Sequence, residues 1–562
     1  MIVFWSTRRS PKLAAFGIQI GPQDRFARYR GHASLVKKLL AVLALPLLLS
    51  RAGAEPDTSA ANIRATMTFL ASDKLKGREA GTPEFDIAAN YVAGQMKKLG
   101  LKPMGGPMSD KGTYFQHVPL LAYRTKDQGA ITLYGASAPT LAFGKDYLVG
   151  GDPLAATVDV DAPLVFVGYG LVAPGRDDYR GLDAKGKIVV ALSGAPKFLQ
   201  TEERAYYRSG KVRLAQAQAH GAVGFVSLST LTRERLYPFA NAVRQYRSWD
   251  MTWRKPDSTP FVEGDLPVLA SISVAGAHKL LGADTDKILA AAETSQGDVR
   301  GFALPFSLHA VLHTEMKQVE SENVVGLLPG SDPKLKNEYV VLSAHLDHIG
   351  ITPPVKGDSI NNGALDNASG VATTLEVARL FQGKPPKRSV LFLIDTAEEK
   401  GLIGAQYFAR NPTVPPSAIV ADVDLDMPIL TYDFTDVTAF GADRSSIGPS
   451  ARRAAATMNV KLSPDPEPDE GIFTRSDHYR FVEQGVPAVF LATGFANGGE
   501  AATRFFMKTN YHKPSDDLSQ PIRYDVGAKF ARLNYAITRE LADGARPSWN
   551  KGDFFADKFA RK

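Results

Sequence analysis

The chain has 562 residues, of which 44% are apolar and 22% charged, an ordinary globular composition. A chain of this length is too long for one compact core, so we expect two domains. Residues 1–54 hold nine Lys and Arg and one Asp, so the remainder holds 57 basic and 58 acidic side chains, and its net charge of −1 argues against a nucleic-acid partner. Cysteine is absent, which excludes disulfides, a thiol nucleophile and metal sites with Cys ligands.

The leader at residues 1–54 has the pattern of an export signal. A pair of lysines precedes the apolar run LLAVLALPLLLS at 39–50, and the small residues after it predict cleavage near Ala54. The run is too short for a stable membrane span, which needs about 20 apolar residues, although an uncleaved anchor is the alternative. Residues 1–34 are long for the basic region of a signal and indicate an over-extended N-terminus, with initiation near Leu35. We therefore expect an exported protein, periplasmic or extracellular.

Helical and then β-type patterns follow the leader. Apolar residues at helical spacing predict helices from Ser59 to Asp73 and from Phe85 to Leu99. A helix-like stretch from Glu203 to His220 lies among short β-type runs: FQHVPLL (115–121), AITLYG (130–135), PLVFVGYG (163–170), GKIVVALS (186–193) and GAVGFVSLS (221–229). A loop region then runs towards residue 265. Between 150 and 300 no His clusters with carboxylates, so we expect an inserted β-rich domain that frames a site without performing chemistry.

From residue 318 onward, strand and helix patterns alternate. The expected strands are NVVGLLPG, YVVLSAH, SVLFLIDTA, AIVADVDLD and PAVFLATG, with helices near 368–382, from about 402, near 446–458 and near 523–541. Near-continuous apolar strands between helices indicate a sheet that is buried on both faces and mostly parallel. The predicted fold class is therefore α/β, a mostly parallel sheet sandwiched by helices, in which ligands bind beyond the carboxyl ends of the strands.

Ionisable residues stand at the ends of these strands and before the first helix. Alternation places Asp347 on the same face as His345, where its carboxylate can hydrogen-bond one imidazole nitrogen and leave the other for a metal. Asp366 and Asn367 precede the helix near 368–382, and capping by Asn367 or Ser369 leaves Asp366 available to a metal.

Further carboxylates follow in the next two strands. Glu398 and Glu399 can divide labour, one as metal ligand and one as base for a metal-bound water. Three carboxylates at spacing two repel one another unless a cation neutralises them, which favours a metal cluster: Asp422, Asp424 and Asp426. His512, in a later loop, completes a set of two histidines and three carboxylates that suits a pair of zinc ions sharing one carboxylate.

The ordered motifs HLDH, LDNASG, AEEKGLIGA, LDM, RSDH and YHKPSDD, between residues 345 and 517, resemble those of the two-zinc aminopeptidase family of metallopeptidases. The resemblance implies the zinc-dependent exopeptidase fold and two Zn²⁺ ions per chain. It also implies that one zinc is held by His345, Asp366 and Asp426, and the other by Asp366, Glu399 and His512. The remaining implied roles are a general base for the zinc-bridging water, Glu398; a partner of His345, Asp347; two residues that steady the reacting carbonyl, Tyr511 and Arg475; and supporting residues, His348 and His478 with Asp477.

The insert resembles the protease-associated (PA) domain found in many members of that family, on the segments VGYGLVAPGRDDYRGLDAKGKIVVALSG and AQAHGAVGFVSLS. The expected organisation after the leader is a zinc peptidase domain at 55–150 and 301–545, the PA-like domain at 151–300 and a C-terminal tail at 546–562.

The function that these residues predict is that of a secreted zinc aminopeptidase, whose substrates are peptides with a free N-terminus. A carboxypeptidase of the same fold stays open, because Arg444, Arg452 and Arg475 could form a positive patch for a terminal carboxylate. A glutaminyl-cyclase-like enzyme would use one zinc, and a non-catalytic binding protein would lack some of the ligands. No oligomeric state is predicted.

Overall fold

The computed structural model of the protein describes residues 58–106 and 112–560. The predicted signal peptide and its cleavage site near Ala54 lie outside these residues. Within the described ranges, no helix combines the length and the apolarity that crossing a bilayer requires.

The centre of the fold is a sheet whose strands do not follow chain order. From one edge they are Lys461–Ser463, Asp436–Phe440, Ala488–Thr493, Ile419–Asp424, Tyr339–His345, Ser389–Asp395, Phe302–Leu328, Phe115–Thr125 and Asp250–Trp253. The strands Ala488–Thr493, Ile419–Asp424, Tyr339–His345 and Ser389–Asp395 run parallel. Both outer members of this group pair antiparallel with their next neighbours. The predicted class, an α/β fold with a mostly parallel central sheet, is confirmed.

Helices cover both faces of the central sheet. Alternation along Tyr339–His345 directs Val340 and Leu342 into one core and Val341 into the other. The first core receives the helices Ser59–Leu70, Pro83–Lys98, Ser369–Leu380, Ile447–Ala456, Gly499–Thr509 and Tyr524–Asp543. The second receives Ile403–Arg410, His478–Val482 and Phe554–Phe559. Because both faces are covered, the strands read as continuous apolar runs.

A second sheet shares one long strand with the central sheet. The residues of Phe302–Leu328 nearest its start pair with Ala130–Tyr134 and Thr157–Phe166, whereas those nearer its end pair with Phe115–Thr125 and Ser389–Asp395. Beyond Thr157–Phe166 the second sheet continues through Ile188–Leu192, Gly224–Leu228, Val268–Ile272 and Tyr147–Leu148. Its helices are Thr201–Arg208, Gly210–Ala219, Leu231–Leu236, Phe239–Gln245, Val274–Leu281 and Thr285–Glu293. The remaining short strands are Lys102–Pro103, Val172–Ala173, Arg176–Asp177, Ile351–Val355 and Asp358–Ile360.

The core of the second sheet includes Ile131 and Leu312, which lie outside the predicted insert at 151–300. The core therefore does not mark the predicted boundaries at 150 and 300, and these boundaries remain predictions.

Two details of the region between 200 and 265 differ from the sequence-based expectation. The helix expected from Glu203 to His220 is broken at Ser209, whose ψ of 141° is extended and whose side chain accepts a hydrogen bond from the Val212 N–H to start a new helix. The region expected as a loop up to residue 265 contains two short helices and a strand. The first of these helices starts where Thr230 Oγ1 accepts from the Arg233 N–H.

Candidate metal centre

Three neighbouring parallel strands bring ionisable side chains to one edge of the central sheet. These strands are Tyr339–His345, Ile419–Asp424 and Ser389–Asp395. His345 ends the first, Asp426 lies just beyond the second, and Glu398 and Glu399 follow the third. Since the carboxyl ends of parallel strands meet at the same edge, residues far apart in sequence converge there.

Asp366 is shared between two groups of candidate metal ligands. Its Oδ1 lies 3.3 Å from His345 Nε2, which lies 3.1 Å from Asp426 Oδ1. Its Oδ2 lies 3.3 Å from His512 Nε2, which lies 3.0 Å from Glu399 Oε2. The structure thus brings the five predicted metal ligands together and turns the two oxygens of one carboxylate towards two separate pairs of ligands.

His348, expected to be a supporting residue, lies in direct contact with this cluster. Its Nδ1 is 2.6 Å from Glu399 Oε1 and 3.9 Å from Asp366 Oδ2, and its side chain is fully buried. Its Nε2 has no hydrogen-bond partner among the described residues. With a proton on Nδ1, the ring donates a hydrogen bond to Glu399. Glycine at 363 makes room for this ring, since a Cβ there would lie 2.6 Å from His348 Cγ.

The carboxylate of Asp347 is placed differently from the sequence-based expectation. It lies 4.0 Å from His345 Nδ1, and the backbone oxygen of Asp347, at 3.1 Å, is the nearer partner of that nitrogen. The carboxylate instead accepts hydrogen bonds from the N–H groups of Glu398 and Glu399, at 3.0 and 3.3 Å. The alternation argument failed because the strand ends at His345 and Asp347 belongs to the following loop.

The loop that carries Asp366 is held by residues that the sequence did not single out. Asp516 accepts hydrogen bonds from the N–H groups of Leu365 and Asp366, both at 3.0 Å. The buried guanidinium of Arg78 donates to the backbone oxygens of Leu346 at 2.6 Å and Gly363 at 2.8 Å. It thereby joins the loop after the strand Tyr339–His345 to the loop that carries Asp366. No sequence signal marks Arg78, because its acceptors are all backbone oxygens.

Of the two residues expected to cap the helix, Asn367 or Ser369, it is Asn367 that does so. Its Oδ1 accepts a hydrogen bond from the Gly370 N–H at 2.9 Å in the first turn of Ser369–Leu380. The peptide bond between Asp366 and Asn367 is cis.

Only one of the three carboxylates at spacing two reaches the ligand cluster. Asp426 contacts His345, whereas Asp422 accepts from Ser343 Oγ at 3.0 Å and Asp424 accepts from Ser476 Oγ at 2.5 Å. The expectation that a metal cluster neutralises all three was wrong. Burial and the neighbouring Asp424 raise the pKa of Asp422 well above its ordinary value, so protonation removes that charge instead.

Glu398 is surrounded by charged groups of the cluster. Burial raises the pKa of its carboxyl well above the ordinary value; His345 opposes this shift, and the carboxylates of Glu399 and Asp426 add to it. A carboxyl with a raised pKa holds a proton more firmly than an exposed glutamate does. A general base that accepts a proton and later returns it near neutral pH needs this property.

The two residues predicted to steady a reacting carbonyl occupy different places. The ring of Tyr511 stacks on His512 with centroids 3.9 Å apart, and burial with the nearby Asp366 carboxylate raises the pKa of its hydroxyl well above the ordinary value. Arg475 lines a large cavity beside the cluster and pairs with Glu470 at 3.5 Å. The structure shows Arg475 in no contact with the ligand cluster in the described residues.

The donor set fits a pair of zinc ions. Imidazole nitrogens and carboxylate oxygens are ligands that zinc accepts, and Asp366 offers one oxygen to each group. In the second group His348, like His512, lies close enough to Asp366 and Glu399 to offer the imidazole nitrogen. Burial disfavours the charged form of His512, but Glu399 and Asp366 outweigh it and raise the pKa of His512 to about 10. The buried carboxylates therefore demand positive charge at this place, which divalent cations supply.

Comparison with known proteins finds similar peptidases. Residues 323–538 match the sequence profile of Peptidase family M28. An aminopeptidase of Pseudomonas aeruginosa is 25% identical over 437 residues, which are 76% of this chain and 68% of the relative. Aminopeptidase Y of Saccharomyces cerevisiae is 26% identical over 230 residues, 38% of each chain. A probable zinc metalloprotease of Pyrenophora teres is 36% identical over 110 residues, 19% of this chain and 23% of the relative.

Among solved structures, an aminopeptidase from Aneurinibacillus sp. strain AM-1 has a similar fold. The two superpose with a TM-score of 0.50 at 20% identity, covering 87% of this chain and 95% of the other. The likeness extends over the second sheet as well as the central one, as the coverage requires.

Proposed function

Residues 323–538 belong to peptidase family M28, and on that premise we propose that the chain is a zinc-dependent aminopeptidase. Its substrates in this proposal are peptides with a free N-terminus, of which it hydrolyses the first peptide bond. The relatives named as aminopeptidases and zinc metalloproteases support this assignment. The observation that carries it is the position of Asp366 between two pairs of ligands.

In this proposal His345 and Asp426 would hold one zinc ion, Glu399 and His512 would hold the other, and Asp366 would be a ligand for both. When bound, zinc polarises a carbonyl and lowers the pKa of water, which makes water a nucleophile at neutral pH.

The residues of the chain carry the proton and orient the reactants. Glu398 takes a proton from the attacking water and returns it to the leaving amine, since its raised pKa lets it hold that proton between the two steps. The hydroxyl of Tyr511 keeps its proton at neutral pH and can donate a hydrogen bond to the oxygen that becomes negative. The excess of carboxylates attracts the cationic α-amine of the substrate.

The direct test uses aminoacyl-p-nitroanilides, each beside its N-acetylated twin, with purified zinc-loaded protein. We expect hydrolysis of the free-amine forms alone, because acetylation removes the charge that the carboxylates attract. Two zinc ions per chain, counted by elemental analysis, are expected in the active preparation. Hydrolysis of neither form by protein that holds both metals would contradict the proposal.

The two alternative enzymes receive less support. The matched relatives are named as aminopeptidases rather than carboxypeptidases. Of the three arginines expected to form a carboxylate patch, Arg444 contacts Glu202 and lies 2.8 Å from Asp553, so its charge is already neutralised. A cyclase with one zinc would not need the second pair of ligands, Glu399 and His512.

We further propose that the protein is exported. The support is the sequence pattern of the leader, a basic pair, a short apolar run and small residues up to Ala54. Mass spectrometry of the mature protein, isolated from the periplasm or the medium, is expected to find a new N-terminus at or near residue 55. A chain that keeps residues 39–50 would contradict cleavage.

A further inference from the structure

A cavity of about 920 Å³ lies where strands of the second sheet end, beside the loop that precedes Ser476. Its wall includes residues at the carboxyl ends of Ile188–Leu192 and Gly224–Leu228, where ligands of parallel sheets commonly bind. Four arginines line it: Arg208, Arg213, Arg233 and Arg475. Asp250 is the one acidic residue among its lining residues in the described part of the chain. We call this space the arginine cavity.

The positive charge of the arginine cavity is poorly neutralised by the protein. Arg208 donates to the backbone oxygen of Glu470 at 2.9 Å, and Arg213 donates to the backbone oxygens of Tyr169 and Ala191 at 3.2 and 3.4 Å. Neither forms an ion pair with a carboxylate among the described residues.

Of the other two arginines, Arg475 has a carboxylate partner and Arg233 has none among the described residues. Arg475 has one carboxylate partner, Glu470, at 3.5 Å, and Arg233 lies over the ring of Tyr237. Burial and the nearby guanidinium of Arg475 lower the pKa of Arg208, as expected where like charges face one another. Partly buried guanidinium groups that lack counter-ions favour the binding of an anion.

The arginine cavity adjoins the candidate metal centre through one short segment. Thr474 and Arg475 line the cavity, and the Oγ of the next residue, Ser476, lies 3.1 Å from Asp426 Oδ2. Arg475 and Ser476 therefore link the wall of the cavity to Asp426, a candidate metal ligand.

We propose that the arginine cavity binds a carboxylate of the peptide substrate, on the C-terminal side of the bond that is cleaved. The inference rests on the proposed aminopeptidase function. A peptide with both ends free is positive at its N-terminus and negative at its C-terminus, and the two regions match it, carboxylates at the metal centre and arginines in the cavity. The carboxylate is either the C-terminal group of a short peptide or an Asp or Glu side chain.

The test compares peptides of two to six residues that differ only at the C-terminus, as free acid or as amide. The N-terminal residue is the one that the p-nitroanilide panel favours. We expect kcat/KM for the free acid to exceed that for the amide by about tenfold or more at one length at least, the worth of a charge-assisted hydrogen bond. A third set, amides with one internal Glu, tells the side-chain source from the terminal one.

Two variants locate the effect. Arg208→Gln is expected to bring the ratio of acid to amide close to one while leaving p-nitroanilide hydrolysis unchanged. The matched control is Arg204→Gln, on the same helix, because Arg204 pairs with Asp469 and does not line the cavity. Melting curves verify that both variants fold. The ratio of kcat/KM for acid and amide in the wild type tests the inference even if a variant does not fold.

Failure of this inference is distinguishable from failure of the proposed function. Equal rates for acids, amides and Glu-containing amides at every length, or a preference that survives in Arg208→Gln, would overturn the inference alone. If the wild type cleaves no peptide, calorimetry with the Glu398→Gln variant still measures binding of the acid against the amide. Tighter binding of the acid would then support the cavity without the reaction, and equal binding would overturn it.

Discussion

Glu398 is half-buried, and burial together with the neighbouring carboxylates raises the pKa of its carboxyl. Replacing it by Gln keeps the size of the side chain but removes proton transfer. We expect Glu398→Gln to retain both zinc ions and to lose activity by about 10²–10⁴-fold, the usual contribution of a general base. Elemental analysis and kcat with the favoured p-nitroanilide measure the two quantities. Turnover near that of the wild type would remove Glu398 from the role of base.

His348 donates to Glu399 from Nδ1 in the arrangement described above. Asn has an amide nitrogen near the position of Nδ1, so His348→Asn is expected to keep most of the affinity for the second zinc. His348→Ala leaves Glu399 without this donor and is expected to weaken zinc binding about 10–100-fold, as loss of a partner of a metal ligand does. Competition with a chromophoric chelator measures the affinity. A loss in His348→Asn as large as in His512→Ala would identify His348 as a ligand itself.

At the scale of elements, the long strand Phe302–Leu328 carries a titratable group at a half-buried position. Burial and the nearby Asp86 raise the pKa of Glu322 from 4.5 to about 7. A raised pKa means that the folded protein binds the proton more tightly, so this group stabilises the fold below about pH 4.5 and loses that contribution as the pH rises through 7.

Glu322→Gln should therefore gain stability over the wild type as the pH rises. We expect a difference in the free energy of unfolding of at least about 1 kcal/mol between pH 5 and pH 8, after allowance for partial exposure. Urea unfolding of both proteins in the presence of a chelator measures it, so that release of metal at low pH does not contribute. A gain of equal size at both pH values would show that the carboxyl is not perturbed.

The sequence predicted the elements well wherever burial leaves a periodic pattern. The apolar runs that became Tyr339–His345 and Ser389–Asp395 are buried along their whole length, so composition alone marks them as strands. The break at Ser209 was missed, because a serine that caps a new helix looks the same in sequence as one inside a continuous helix. Arg78 was missed because backbone oxygens as partners leave no trace in a sequence.

The ligand cluster was predictable for a related reason. Strand ends fix where His345 and Glu399 lie, and the order of parallel strands brings them to one edge. What lay beyond a strand end was not predictable by alternation, as Asp347 shows. Asp426 reaches the site because it lies just beyond the strand, whereas Asp422 and Asp424 lie inside it and bond to serines. Periodicity thus places residues inside elements, whereas contacts across loops depend on the tertiary structure.

At the scale of the whole molecule, the two sheets share a strand and the arginine cavity lies beside the candidate metal centre. The strand Phe302–Leu328 passes without interruption from one sheet to the other, so a shift of the second sheet against the metal centre would have to bend it. This continuity would hold the arginine cavity at a fixed distance from the candidate metal centre, which suits the proposed binding of the substrate's carboxylate there.

Removal of zinc should lower the stability of the molecule. Asp366, Glu399 and Asp426 are nearly buried, and without a cation their repulsion is relieved only by protonated imidazoles. A ligand that binds the folded state alone stabilises it by about 2.7 kcal/mol at 100 times its Kd and about 4.1 at 1,000 times. With about 2–4 °C per kcal/mol for a large domain, chelation is expected to lower the melting temperature by about 5–15 °C.

Adding zinc back to the chelator-treated protein tests the number of metal ions more directly than their removal does. Calorimetric melting of the chelator-treated protein at pH 7.5 is expected to recover fully only when two equivalents of zinc have been added, because each group of ligands around Asp366 contributes. The matched variant is His512→Ala, which removes a ligand of one group and leaves the His345 and Asp426 pair intact. It should recover with one equivalent. Recovery of the wild type after a single equivalent, or no change on chelation, would show that the carboxylates do not share a second cation.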